Sequence, residues 1–279
     1  MRPAIVFAIL LSTLHAAENT IPVKNLLLDL DAAKGIDEQA DGRVVKWVSQ
    51  VEGRRFEFIK QDCGRSEAGS GCPTLMKSVP GIGGKPALAF LQQELVCTDE
   101  DAFDSLTTGA GHTWAALIAV RSQRIGVENV NSFFGNLKNG GFYEGLWGCF
   151  TDDNRPWYGA RNGLSFGRFD RNNPQLIAPR IEPGMFHILI GRMQAGTGVA
   201  KVELYMDSQT PAASGEFPVN PAANPSKLAV GQERDAVEHP GKESFDGEIA
   251  RLLIWQRPLN DGEITATLQG LRKEYQLSK

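Results

Sequence analysis

The sequence predicts an all-β fold, a sandwich or barrel of short strands. Two observations carry this. Short apolar or alternating segments recur along the chain between turns rich in Gly, Pro and Asn, the pattern of strands in such folds. Only one segment, near the C-terminus, has a strong helical period. The composition is consistent with a packed core: of 279 residues, 42% are hydrophobic, 8% aromatic and 22% charged, values typical of globular proteins. One domain is the simplest organisation, because no linker, repeat or low-complexity tract interrupts the chain.

Taken in order, Leu26–Leu30 is the first strand. Val44–Val48 follows the Asp41-Gly42 turn, and Phe56–Ile59 alternates. Thr113–Val120 is apolar almost throughout, which suits a strand buried on both faces. Phe186–Ile190 and Lys201–Met206 bracket Gly196-Thr197-Gly198, a hairpin signal. Glu248–Trp255 is the last strand. Asn260 with Glu263 three residues on forms a capping box. Ile264, Leu268, Leu271 and Tyr275 then make one apolar helical stripe.

Residues 1–17 read as a secretory leader: Arg2, the apolar run Ala4–Leu11, and small residues at Ala16-Ala17. The run is too short to span a bilayer, which needs about 20 residues. The expectation is cleavage after Ala16 or Ala17. Residues 18–279 then form a single exported domain, secreted, periplasmic or at the cell surface, with no membrane span. A net charge of −4 without basic clusters argues against nucleic acid as a partner. Export favours disulfides among Cys63, Cys72, Cys97 and Cys149. The expected pairing closes the local loop Cys63–Cys72 and leaves Cys97 with Cys149. Four cysteines allow three connectivities, so the others stay open.

The blocks Leu27-Leu28-Asp29-Leu30-Asp31-Ala32, Val45-Lys46-Trp47, Lys85–Phe90 and Thr113-Trp114 resemble the strands of laminin G-like, concanavalin A-like domains of exported bacterial proteins. The end of the chain is similar too: Phe245–Ala250, Leu253-Ile254-Trp255, Arg257-Pro258-Leu259, Glu263-Ile264 and Tyr275. The resemblance spans Leu26 to Leu277. It implies a two-sheet antiparallel jelly-roll sandwich with a short C-terminal helix. Ligands of that family sit on the concave sheet or at a rim, in some members with calcium. No calcium motif of the family lines up in this sequence.

Candidate chemistry is sparse. Gly163-Leu164-Ser165-Phe166-Gly167 has the G-x-S-x-G form of a nucleophile elbow. The run Arg168–Pro174 cannot start the helix that motif requires. A strand with Leu164 and Phe166 on one face is the plainer reading. Glu243-Ser244-Phe245-Asp246-Gly247-Glu248 approaches the paired-acid string of polysaccharide hydrolases of this fold. Its first gap is one residue too long, which puts Glu243 on the opposite face from Asp246 and Glu248. Asp29 and Asp31 form a second same-face pair. The acidic loop Thr98–Asp104 offers oxygen ligands for calcium, although it lacks the EF-hand pattern. His187 reads as a hydrogen-bonded core histidine within an apolar strand. No two histidines have metal-ligand spacing.

The stretch Gly140–Arg168 is the most informative. Tyr143, Trp147, Trp157, Tyr158, Arg161 and Asn162 lie close together there. Sugar rings stack their C–H faces on Trp and Tyr, while Arg and Asn bond the hydroxyls. The alternative is that these aromatics are packing residues. The leading expectation is a secreted, non-catalytic module that binds a glycan or glycoprotein through Trp157, Tyr158, Arg161 and Asn162, then Trp147 and Tyr143. It requires no cofactor, and calcium is an option. The alternatives are a polysaccharide hydrolase or lyase using Asp29, Asp31, Asp246 and Glu248, and a protein-binding adhesion or scaffold module.

Overall fold

A computed structural model describes residues 20–60, 71–123, 129–138, 141–165, 173–232 and 243–277. The leader read at residues 1–17 lies outside the described residues, as does Cys63. The first strands are β1 (Leu26–Asp31), β2 (Ile36–Glu38), β3 (Val44–Val48), β4 (Glu57–Ile59), β5 (Thr74–Val79) and β6 (Lys85–Leu91). Then come β7 (Leu95–Cys97), β8 (His112–Val120), β9 (Asn131–Gly135), β10 (Glu144–Phe150), β11 (Pro156–Asn162) and β12 (Gln175–Ile177). The chain continues through β13 (Phe186–Met193), β14 (Val199–Met206), β15 (Ala213–Pro218), β16 (Ala229–Val230) and β17 (Asp246–Trp255). It ends in α1 (Asp261–Glu274).

These strands form two antiparallel sheets. One has eight strands, in the order β15-β14-β13-β8-β17-β6-β5, with β1 also paired to β17. The other has nine, β12-β11-β10-β9-β16-β7-β4-β3-β2. Strand alternation sends half of each sheet's side chains into the space between them. Leu28, Leu30, Trp114, Ile118, Phe133, Phe150 and Ile254 meet there in one core. All nine residues of β8 are buried, as expected for a strand covered on both faces.

The second cover is α1. Ile264, Leu268, Leu271 and Tyr275 pack onto Leu117, Ile188, Leu253 and Trp255, on the outer face of the eight-stranded sheet. The capping box forms as the sequence requires: Asn260 accepts from the Glu263 N–H and Glu263 accepts from the Asn260 N–H, both at 2.9 Å. Two arginines, Arg192 buried and Arg251 partly buried, tie the helix down. Arg192 reaches Glu203 at 2.7 Å and Asp261 at 2.8 Å. Arg251 binds both oxygens of Asp29 at 2.9 Å and Glu274 at 2.5 Å.

The Cys97–Cys149 pairing is corrected. Cys97 lies on β7 and Cys149 on β10, with β16 and β9 between them. Three strand spacings of about 4.8 Å separate the backbones by about 14 Å, twice the reach of a disulfide. Burial pushes the Cys97 thiol up to about 11, so it resists alkylation in the fold. We expect Cys97 and Cys149 to alkylate without reductant once the chain is denatured, and to be protected before. A Cys97–Cys149 cross-linked peptide in a non-reducing digest would sink this.

Candidate functional site

The aromatic stretch forms the β10–β11 hairpin. Its register sets Trp147 opposite Gly159, Cys149 opposite Trp157 and Gly145 opposite Arg161. Leu146, Phe150, Tyr158 and Ala160 join the inter-sheet core. Alternation therefore places Trp147, Cys149, Trp157 and Arg161 on the outer face of the nine-stranded sheet. There Trp147 and Trp157 meet edge to face, with centroids 5.5 Å apart and planes at 83°. Gly159 makes this possible: a Cβ on it would stand 2.6 Å from Trp157 and 2.7 Å from Trp147. The Arg161 guanidinium lies 4.8 Å from the Tyr143 ring and 5.7 Å from the Trp147 ring, within cation–π range of both. The Trp157 indole N–H donates to the Asn129 carbonyl at 3.0 Å.

Four of the six expected ligand residues thus come together, namely Tyr143, Trp147, Trp157 and Arg161. Most of them do not face solvent. Trp157 is 1% exposed and Trp147 3%, so neither offers a ring face to a sugar. The expected stacking by Trp157 and Trp147 is corrected to packing. Tyr158 is also corrected. It turns into the core, 1% exposed, and its hydroxyl lies 2.8 Å from His112 Nε2. His112 Nδ1 is 2.6 Å from the Leu106 carbonyl, which can only accept. The ring proton therefore sits on Nδ1, and Nε2 accepts from the Tyr158 hydroxyl. Burial lowers the His112 pKa to about 4 and raises that of Tyr158.

Asn162 is likewise structural. Its amide donates to the Pro218 carbonyl at 3.0 Å and accepts from the Leu164 N–H at 3.0 Å, pinning neighbouring loops. Arg161 is buried behind Tyr143, which remains half-buried at the end of the hairpin. The Gly163 N–H donates to the Tyr143 carbonyl at 2.9 Å, which brings the two hairpin ends side by side. Phe142 is 51% exposed and Leu164 62%. Sequence reasoning missed both, yet they are the open apolar surface of this region. Their signal was position, one residue beyond the Tyr143–Gly163 contact.

The acids of the hydrolytic alternative lie on β1 and β17, in the other sheet. Both Asp29 oxygens are held by Arg251. Asp31 caps the Ala33 N–H at 2.9 Å, and Glu248 is paired with Arg121 at 2.7 Å. Of the G-x-S-x-G string, Gly163 to Ser165 lie in a loop after β11, and Phe166 and Gly167 lie outside the described residues. In the acidic loop, burial together with the charges of Asp101 and Glu100 raises Asp104 to about 6. Among the described residues no group of three or more acidic, His or Cys side chains is arranged to hold a metal ion. No described helix is long and apolar enough to cross a membrane.

No family model and no curated protein matches the sequence. Solved structures do match the fold. The binding domain of botulinum neurotoxin serotype D/C superposes with a TM-score of 0.55 at 10% identity, over 89% of this chain and 53% of that one. Trypanosoma rangeli sialidase in complex with sialic acid gives 0.53 at 16% identity, over 93% of this chain and 35% of that one. A mutant of that sialidase displaying trans-sialidase activity gives 0.54 at 15% identity. The chain spans about a third of the sialidase and about half of the toxin domain. At such identities the likeness establishes fold alone: the chain is an antiparallel two-sheet jelly-roll sandwich of the concanavalin A-like class, closed by one C-terminal helix.

Proposed function

We propose that this is an exported, non-catalytic carbohydrate-binding module of laminin G-like type, which takes its glycan at the open end of the β10–β11 hairpin. One observation carries the reading. Exposed Phe142 and half-buried Tyr143 sit at the mouth of a cluster in which Arg161, Trp147 and Trp157 are already locked in place. The Tyr143 ring, held from behind by the Arg161 guanidinium, loses little freedom when a sugar stacks on it. Leu164 widens the apolar surface beside them. The buried tryptophans support the rim.

The test is a polysaccharide and glycan-array screen of the mature chain, run with calcium and again with chelator. The expected result is binding without release of reducing ends. Phe142→Ala with Tyr143→Ala should weaken it by about 1–3 kcal/mol, the scale of base stacking on aromatics, with the fold intact. Loss of binding on chelation would show that a metal ion takes part, with the acidic loop Thr98–Asp104 the first place to test by substitution. No binding across the panel, or affinity unchanged in the double variant, refutes the glycan reading and favours a protein partner. Released sugar refutes the non-catalytic reading.

A further inference from the structure

An open groove of about 390 Å³ lies among the start of β13, the end of β14 and the C-terminal end of α1. Its apolar wall is Met185, Phe186 and Leu277; its polar wall is His187, Asp207 and Arg272. The polar groups form a chain. His187 Nδ1 is 2.5 Å from Asp207 Oδ2. The other Asp207 oxygen accepts from the Ile188 N–H at 2.8 Å. Both carboxylate oxygens are thus occupied, and the imidazole is held with its proton on Nδ1. His187 Nε2 is left with no partner among the described residues. Arg272 donates one N–H to the Asp207 carbonyl, and its remaining donors have no partner among the described residues. Asp207 has φ +49°, a left-handed conformation that costs a non-glycine residue energy. It is kept there by the Ile188 backbone, His187 and Arg272 together.

We propose that this groove binds a small monocarboxylate carrying an apolar or aromatic body. A carboxylate suits the planar fork of Arg272, which presents paired donors. Arg272 supplies the charge that meets the ligand's carboxylate, while His187 and the Ile188 N–H keep both oxygens of the Asp207 carboxylate engaged. Met185, Phe186 and Leu277 take the apolar body. A neutral ligand of the same shape would leave the guanidinium donors unused. The groove lies on α1 and the eight-stranded sheet, so it stands or falls independently of the glycan rim.

The probe is sodium benzoate, followed by NMR of the His187 ring and the Met185 methyl group, with benzyl alcohol as the uncharged match. Benzoate should shift both signals saturably, with a dissociation constant of roughly 1 mM, reasonable for so small a ligand. Benzyl alcohol should bind at least about tenfold more weakly. Arg272→Gln should lower benzoate affinity by about tenfold or more. Met185→Glu, at a residue 58% exposed, should do the same by charge repulsion without disturbing the core. A His187 signal unmoved by benzoate overturns the proposal. So does equal affinity for benzoate and benzyl alcohol, or affinity unchanged in both variants.

Discussion

Arg251→Ala should destabilise the protein by about 3 kcal/mol, the lower end of the cost of removing one partner from a buried ion pair, since Arg251 is only partly buried. Arg251 stands on β17 between Asp29 of β1 and Glu274 of α1, and its guanidinium donates to both. Burial opposes its charge. The Asp29 hydrogen bonds and the charges of Asp29 and Glu274 outweigh that, and its pKa is raised. Without the guanidinium, the Asp29 carboxylate, 8% exposed, is left without its bidentate partner. The double variant Asp29→Asn, Arg251→Met removes charge from both sides. It should be clearly more stable than Arg251→Ala, because the orphaned carboxylate rather than the lost attraction dominates the cost. Urea unfolding of the three proteins measures this. Equal stability of Arg251→Ala and wild type would mean that Asp29 is solvated, which would return it to the pool of candidate catalytic acids. The expected outcome assigns it to the joint between the sandwich and its helix.

The strands and the helix were legible because their signals are local. The apolar run of β8, the hairpin bracketing Gly196–Gly198 and the Asn260–Glu263 box each state their element within a few residues. Strand order is a different kind of fact. Strand β16, at Ala229–Val230, inserts between β7 and β9, and nothing near Cys97 or Cys149 announces it. That insertion puts the two cysteines beyond reach of each other. The site was half legible. Trp157 and Tyr158 are consecutive in a strand, and period two sends them to opposite faces, so they could never have lined one groove together. That both faces of β11 are buried depends on what packs over the outer one, a tertiary fact. Similarly, His187 was readable as a hydrogen-bonded strand histidine. The hairpin register, which aligns Leu189 with Met206, brings Asp207 opposite Ile188 and so beside it.

The fold should also lose stability in mild acid because of one residue. In the folded protein, burial lowers the pKa of His112 to about 4 from its ordinary value of 6.5. Between those values the unfolded chain holds a proton that the folded chain refuses. Stability present above pH 6.5 is therefore lost as pH falls toward 4, by about 3 kcal/mol for a shift of this size. Asp104 works the other way, since it is raised to about 6 and keeps its proton in the fold, so the wild-type profile mixes the two. The difference between variants separates them. His112→Phe should be less stable at pH 7, because it orphans the Tyr158 hydroxyl and the Leu106 carbonyl, yet its unfolding free energy should fall by about 3 kcal/mol less than the wild type's between pH 7 and pH 4. Tyr158→Phe removes the other half of the pair and should keep the acid-sensitive slope. Urea unfolding at several pH values tests both, and parallel profiles for His112→Phe and wild type would defeat the assignment. Tyr158→Phe has a second use. Its hydroxyl faces His112 across the core, so the glycan affinity proposed for the hairpin rim should survive its removal, while Tyr143→Ala should lower it. The two tyrosines lie fifteen residues apart in one hairpin, and that contrast assigns one to the core and the other to the rim.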